Sequence, residues 1–135
     1  CDLSHSSGAA INATGFCGPE KGLTALEPNI LIDDTMAIWN LLNNNTGSDA
    51  IVDIILDNAG YEFVTDLCLA AFITHYKLTS KVRFHAKRIP WFISDVTERD
   101  FKFTIESLKN SSDPSISEFG NLCDNHIKNG TWSLE

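Results

Sequence analysis

The run Ala50-Ile51-Val52-Asp53-Ile54-Ile55-Leu56, followed at once by Asp57-Asn58-Ala59-Gly60, constrains this chain more than any other segment. A compact β-branched stretch bounded by turn residues reads as a buried parallel strand. From Tyr61 to Tyr76 apolar residues recur at helical spacing on most sides, and Glu62, Thr65 and Asp66 share the one polar strip. That helix is expected to be buried except along the strip, with Cys68 inside it as a small hydrophobe. Lys81 to Ala86 then alternates, with Val82, Phe84 and Ala86 on one face and Lys81, Arg83 and His85 on the other, which predicts a half-covered strand. Strand, helix and strand at these lengths imply parallel pairing through a right-handed crossover, so the fold class is α/β.

The flanks extend this unit. Residues 1–28, rich in Ser, Gly and Ala and ending in Glu27-Pro28, carry no period and read as a loop or connecting segment, leaving 29–135 as the α/β portion. After Ile30-Leu31-Ile32, an aspartate of Asp33-Asp34 caps a short helix using Met36, Ile38, Trp39, Leu41 and Leu42. Thr97 with Asp100 forms a capping-box pattern for a helix running to Lys109 on Phe101, Ile105 and Leu108. A last helix is expected from Ser115 to Ile127, using Ile116, Phe119, Leu122 and Cys123 and stopping at Asn129-Gly130.

Composition limits the partners. The 135 residues are 43% apolar and 21% charged, an ordinary globular mixture. The longest apolar-rich run, Leu67 to Ile73, falls far short of the roughly 18 residues that a membrane helix needs. Ten Lys plus Arg against 18 Asp plus Glu leave a charge of −8, which argues against a nucleic-acid backbone or an anionic membrane surface as the main partner. The densest basic stretch, Lys77 to Arg88, reads as a solvated strand edge, or as a source of one or two cations for a small anionic substrate. Cys1, Cys17, Cys68 and Cys123 show neither zinc-site nor disulfide-framework spacing, so reduced thiols and an intracellular, cytoplasmic location are expected. The sequons at Asn12, Asn44, Asn110 and Asn129 carry little weight in a chain so rich in Asn, Ser and Thr. A first residue that is Cys, with no leader pattern before it, is expected of a chain that starts inside a longer protein or after processing.

In an open parallel sheet, ligands bind beyond the carboxyl ends of the strands, where loops lead into helix N-termini. Asp57-Asn58-Ala59-Gly60 and Ser94-Asp95 have that address. Each alone also suits a plain turn or helix cap. Together, two carboxylates and an amide oxygen supply hard ligands for a magnesium- or manganese-type ion that also holds a phosphate. A carboxylate pair working as acid and base without metal is the alternative, although no nucleophile stands out. Helix N-terminal amides after Gly60 and near Thr97 favour phosphate oxygens. Lys87 and His85 are candidates for added charge, and Glu62 for a sugar hydroxyl, unless it serves only as an acidic residue favoured at a helix start.

Cys1-Asp2-Leu3-Ser4, Asn29-Ile30-Leu31-Ile32-Asp33-Asp34, the block Leu56 to Leu67 and Ile89-Pro90-Trp91-Phe92-Ile93-Ser94-Asp95 together resemble the damage-control phosphatase family. The resemblance covers nearly the whole chain and is to the eukaryotic sugar-phosphate branch, once labelled an acidic-residue carboxyl methyltransferase. It implies a three-layer α/β/α fold with a mainly parallel sheet, incomplete in this chain. It also implies metal-dependent hydrolysis of sugar phosphates such as fructose 1-phosphate and fructose 6-phosphate, supported by manganese, cobalt or nickel. Carried over, Asp57, Asn58 and Asp95 match the metal ligands and catalytic centre, and Asp57, Asn58 and Glu62 the substrate contacts. Members of the family are considerably longer and carry later Asp-Leu-Asn-Tyr-Arg and Arg-Thr-x-Lys segments that this sequence lacks, so it looks like the metal-bearing middle of such an enzyme. A non-catalytic metal- or phosphate-binding module is the alternative. A methyltransferase is weaker, for no Gly-rich nucleoside-binding turn follows a strand.

Overall fold

The computed structural model describes residues 26–44 and 49–135, so Cys1, Cys17 and nearly all of the expected 1–28 segment lie outside the described residues. The chain divides into two units, 1–38 and 39–135. In the first, a 3-10 turn spans Glu27–Asn29, and the Asp33 carboxylate accepts from the Thr35 N–H at 2.9 Å, which starts helix α1 (Thr35–Asn44).

The second unit is the α/β body. Strand β1 (Ile51–Ile55) leads through Asp57–Gly60 into α2 (Tyr61–His75), then β2 (Lys81–His85), α3 (Glu98–Lys109), α4 (Pro114–Lys128) and β3 (Trp132–Leu134). The three strands are parallel in the order β1-β2-β3, with Asp53 opposite Arg83 and Arg83 opposite Ser133. Val82, Phe84 and Trp132 face one core, which receives Phe63, Leu67, Ala70 and Ile73 from α2, Phe101 and Ile105 from α3, and Cys123 from α4. Phe84 touches both Phe101 and Trp132 edge-on, and the Trp132 Nε1–H donates to Thr74 Oγ1 at 2.9 Å. The helices therefore share one face of the sheet. The other face, with Ile51, Asp53, Ile55, Lys81, Arg83 and His85, is uncovered among the described residues, so the layering is α/β and incomplete, as expected.

Several expectations need correction. β1 is not a buried strand but the outer one of the three, with Val52 and Ile54 half-buried and Ile51, Asp53 and Ile55 exposed, because only one sheet face is covered. The basic residues of β2 lie on the middle strand rather than at an edge. α2 buries one stripe, Phe63, Leu67, Ala70 and Ile73, while Leu69 and Phe72 stay exposed. That stripe is spaced by three and four residues, and Cys68 falls one position outside it, so the buried thiol is Cys123 and not Cys68. Both are free, and burial pushes the Cys123 thiol up to about 12. Iodoacetamide at neutral pH should modify Cys68 in the folded protein and reach Cys123 only on unfolding, as peptide mass spectrometry would show; equal labelling of both would contradict this packing.

β3 escaped the sequence reading, since three residues carry no period. The Thr97–Asp100 capping box forms as expected, with both reciprocal bonds present, and Asp113 caps α4 through the Ser115 and Ile116 N–H groups. Among the described residues no helix is long and apolar enough to cross a membrane.

Candidate metal and phosphate site

Leu56 is buried and its N–H donates to the His85 carbonyl at 3.0 Å, so β1 and β2 stay paired to the point where the chain turns outward. Gly60 then takes φ +86°, ψ −131°, a conformation that side chains resist, and α2 starts immediately after it. The second address reaches the same place by a longer route. Asp95 does not lie at the end of β2; the chain leaves His85, makes a turn in which Phe92 and Ile93 adopt φ +46° and +71°, and comes back along residues 94–97. A left-handed Ile is costly, about 1–3 kcal/mol. Those two side chains are thrown into solvent beside Asp95.

The returning segment is stitched between both strand ends. The Val96 N–H donates to the Asp57 carbonyl and the Ala59 N–H to the Ser94 carbonyl, each at 2.7 Å, and the Lys87 N–H donates to the Val96 carbonyl at 2.9 Å. Asn58 and Asp95 thereby oppose each other in an antiparallel bridge flanked by, rather than joined by, hydrogen bonds. In that type of pair the side chains leave from the same face with Cβ atoms roughly 4.5–5.5 Å apart. Val96, completely buried, anchors the arrangement in the core.

The structure thus brings Asn58 and Asp95 together. Asp57 joins through its carbonyl; its carboxylate is exposed and makes no hydrogen bond or ion pair among the described residues. The Asp95 side chain is only 10% exposed, and among the described residues its one ionic partner is Lys87, with Nζ 3.8 Å from Oδ2. A carboxylate so far out of water is costly without close partners. Glu62 meets Asn58: the Nδ2–H group donates to Oε2 at 3.1 Å, and the Asn58 N–H to Oε1 at 3.5 Å. Farther along the polar strip, burial raises Asp66 above the ordinary carboxylate range, with the Glu62 charge adding to it. His85 turns away, its Nε2 lying 2.7 Å from Asp53 on the open sheet face, where the Arg83 guanidinium, with help from His85, holds Asp53 well below the usual range.

The donor set fits a hard divalent cation. No three His, Cys, Asp or Glu side chains cluster as a metal centre among the described residues, so a cation held by Asp57 and Asp95 would also need the Asn58 amide oxygen. That oxygen is the end of the amide not taken by Glu62. The contribution that sequence reasoning missed is the backbone bridge itself: residues 57–59 and 94–97 pair across the chain, and nothing local in either segment announces it.

The family model of the damage-control phosphatase ARMT1-like domain matches residues 1–135. The chain is 41% identical to a Bos taurus protein over 137 residues, 42% to a Danio rerio protein over 139, and 39% to a Homo sapiens protein over 137, each named damage-control phosphatase ARMT1. These matches cover 98% of the chain but 31% of each relative, so the chain spans about a third of their length. Since the family model matches all of residues 1–135, the chain belongs to the damage-control phosphatase ARMT1-like domain family.

Proposed function

We propose that this chain forms the metal-bearing part of a phosphatase that hydrolyses sugar phosphates, fructose 1-phosphate and fructose 6-phosphate among them. The observation that supports it most is the antiparallel pairing of Asn58 with Asp95 beside Asp57, two acidic segments of distant sequence held at one strand end. Asp57, Asn58 and Asp95 would hold manganese, or cobalt, nickel or magnesium in its place. Such a cation, when bound, polarises a phosphoryl oxygen and neutralises developing charge. The chain's own residues do the rest. Lys87, beside Asp95, offers an ammonium to the phosphoryl oxygens, and the first-turn amides of α2 offer donors after Gly60. Glu62, which spends part of its acceptor capacity on Asn58, keeps lone pairs for a sugar hydroxyl. Free Cys68 and Cys123 accord with an intracellular, cytoplasmic setting.

Metal removal tests this reading. Chelator treatment of the full polypeptide should abolish phosphate release from fructose 1-phosphate, and added manganese should restore it. Turnover that survives exhaustive chelation would favour carboxylates acting alone.

A further inference from the structure

We infer that Glu62 is a positioning residue that fixes which end of the Asn58 carboxamide faces the cation, an inference that rests on the metal-site reading above. A carboxamide is nearly symmetric in shape but not in charge. Turned one way it offers oxygen to a cation, and turned the other way it offers an N–H group and repels it. One carboxylate removes the ambiguity here, because Glu62 takes the side-chain Nδ2–H through Oε2 at 3.1 Å and reaches the backbone N–H of the same residue through Oε1 at 3.5 Å. Nδ2 is thereby engaged, and Oδ1 has no hydrogen-bond partner among the described residues. The grip spans the Gly60 turn, whose φ of +86° sets the first turn of α2 against Asn58. Glu62 itself is exposed, so this contact does not serve the core. Groups that orient a ligand in this way typically change metal affinity about 10- to 100-fold when removed.

The test is manganese affinity, read from the electron paramagnetic resonance of free Mn2+, for the full polypeptide and its Glu62→Ala, Glu62→Gln, Asn58→Asp and Asn58→Asp/Glu62→Ala variants. Glu62→Ala should weaken binding about 10- to 100-fold. Glu62→Gln, which keeps an acceptor oxygen for Nδ2, should recover most of that. In the Asn58→Asp background no amide needs orienting and two like charges face each other, so Glu62→Ala should cause no loss. Equal losses from Glu62→Ala and Glu62→Gln, repeated in the Asn58→Asp background, would show that Glu62 acts through its charge and overturn the inference. So would an unchanged affinity in Glu62→Ala. If the unsubstituted protein binds no manganese, the metal-site reading fails by itself, and the Asn58 side-chain NH2 signals decide the positioning claim without metal. They should be dispersed and slow to exchange in the unsubstituted protein and Glu62→Gln but not in Glu62→Ala; identical signals in all three would overturn it.

Discussion

Asp57→Ala is expected to cut manganese-supported phosphate release from fructose 1-phosphate by ~100-fold or more, the usual consequence of removing one preorganised charge from a site that stabilises developing charge. The same change should leave unfolding nearly untouched. The Asp57 side chain is exposed and makes no hydrogen bond or ion pair among the described residues, while the bond that matters to the fold, from the Val96 N–H to the Asp57 carbonyl, belongs to the backbone and survives the substitution. Asp57→Ala also thins the negative charge around Asp95, which relieves repulsion when no cation is present. The measurement is a rate with saturating manganese beside a urea midpoint. Loss of rate together with a large fall in midpoint would make Asp57 a structural residue and not a ligand.

Gly120→Ala carries the largest expected effect on stability, a loss of about 3 kcal/mol, at the upper end of what overpacking costs. Gly120 is buried in α4 where that helix crosses α3, and a Cβ there would come 2.4 Å from Lys109 N and 2.6 Å from Leu108 C. Both are backbone atoms that cannot swing aside, so the helices must separate. Alanine's better helix propensity returns only about 1 kcal/mol. The Ser117 Oγ–H bond to the Lys109 carbonyl, 2.7 Å, and the Lys109–Asp124 ion pair span the same contact and would be disturbed with it. Asn121→Ala, an exposed neighbour on α4, should cost far less by the same denaturant titration, and equal costs would show that the close approach is not what limits the helix pair.

Short-range chemistry is what the sequence made legible. The Thr97–Asp100 box and the alternation of Lys81 to His85 each depend on residues within one turn or one strand, and both are found where the pattern placed them. Decisions taken at long range were less visible. Cys68 and Cys123 both fit an apolar helix, and only the packing of α2 and α4 on a shared core separates them. The β-branched run of β1 would serve a doubly covered strand, yet the described residues cover one side of it. At the candidate site the residue types could be read from the Asp-Asn and Ser-Asp segments. The partner of Asn58 across the bridge, the grip of Glu62 on its amide and the diversion of His85 toward Asp53 follow from register and turn geometry instead.

Whether Asp57, Asn58 and Asp95 hold one cation is decided by a crystal structure of the protein grown with manganese, with anomalous data at the manganese edge. A single peak is expected within about 2.0–2.6 Å of oxygens from Asp57, Asn58 and Asp95 together, the range for hard divalent cations. A well-ordered structure in which those three side chains point to different surfaces, with the manganese bound elsewhere, would contradict it.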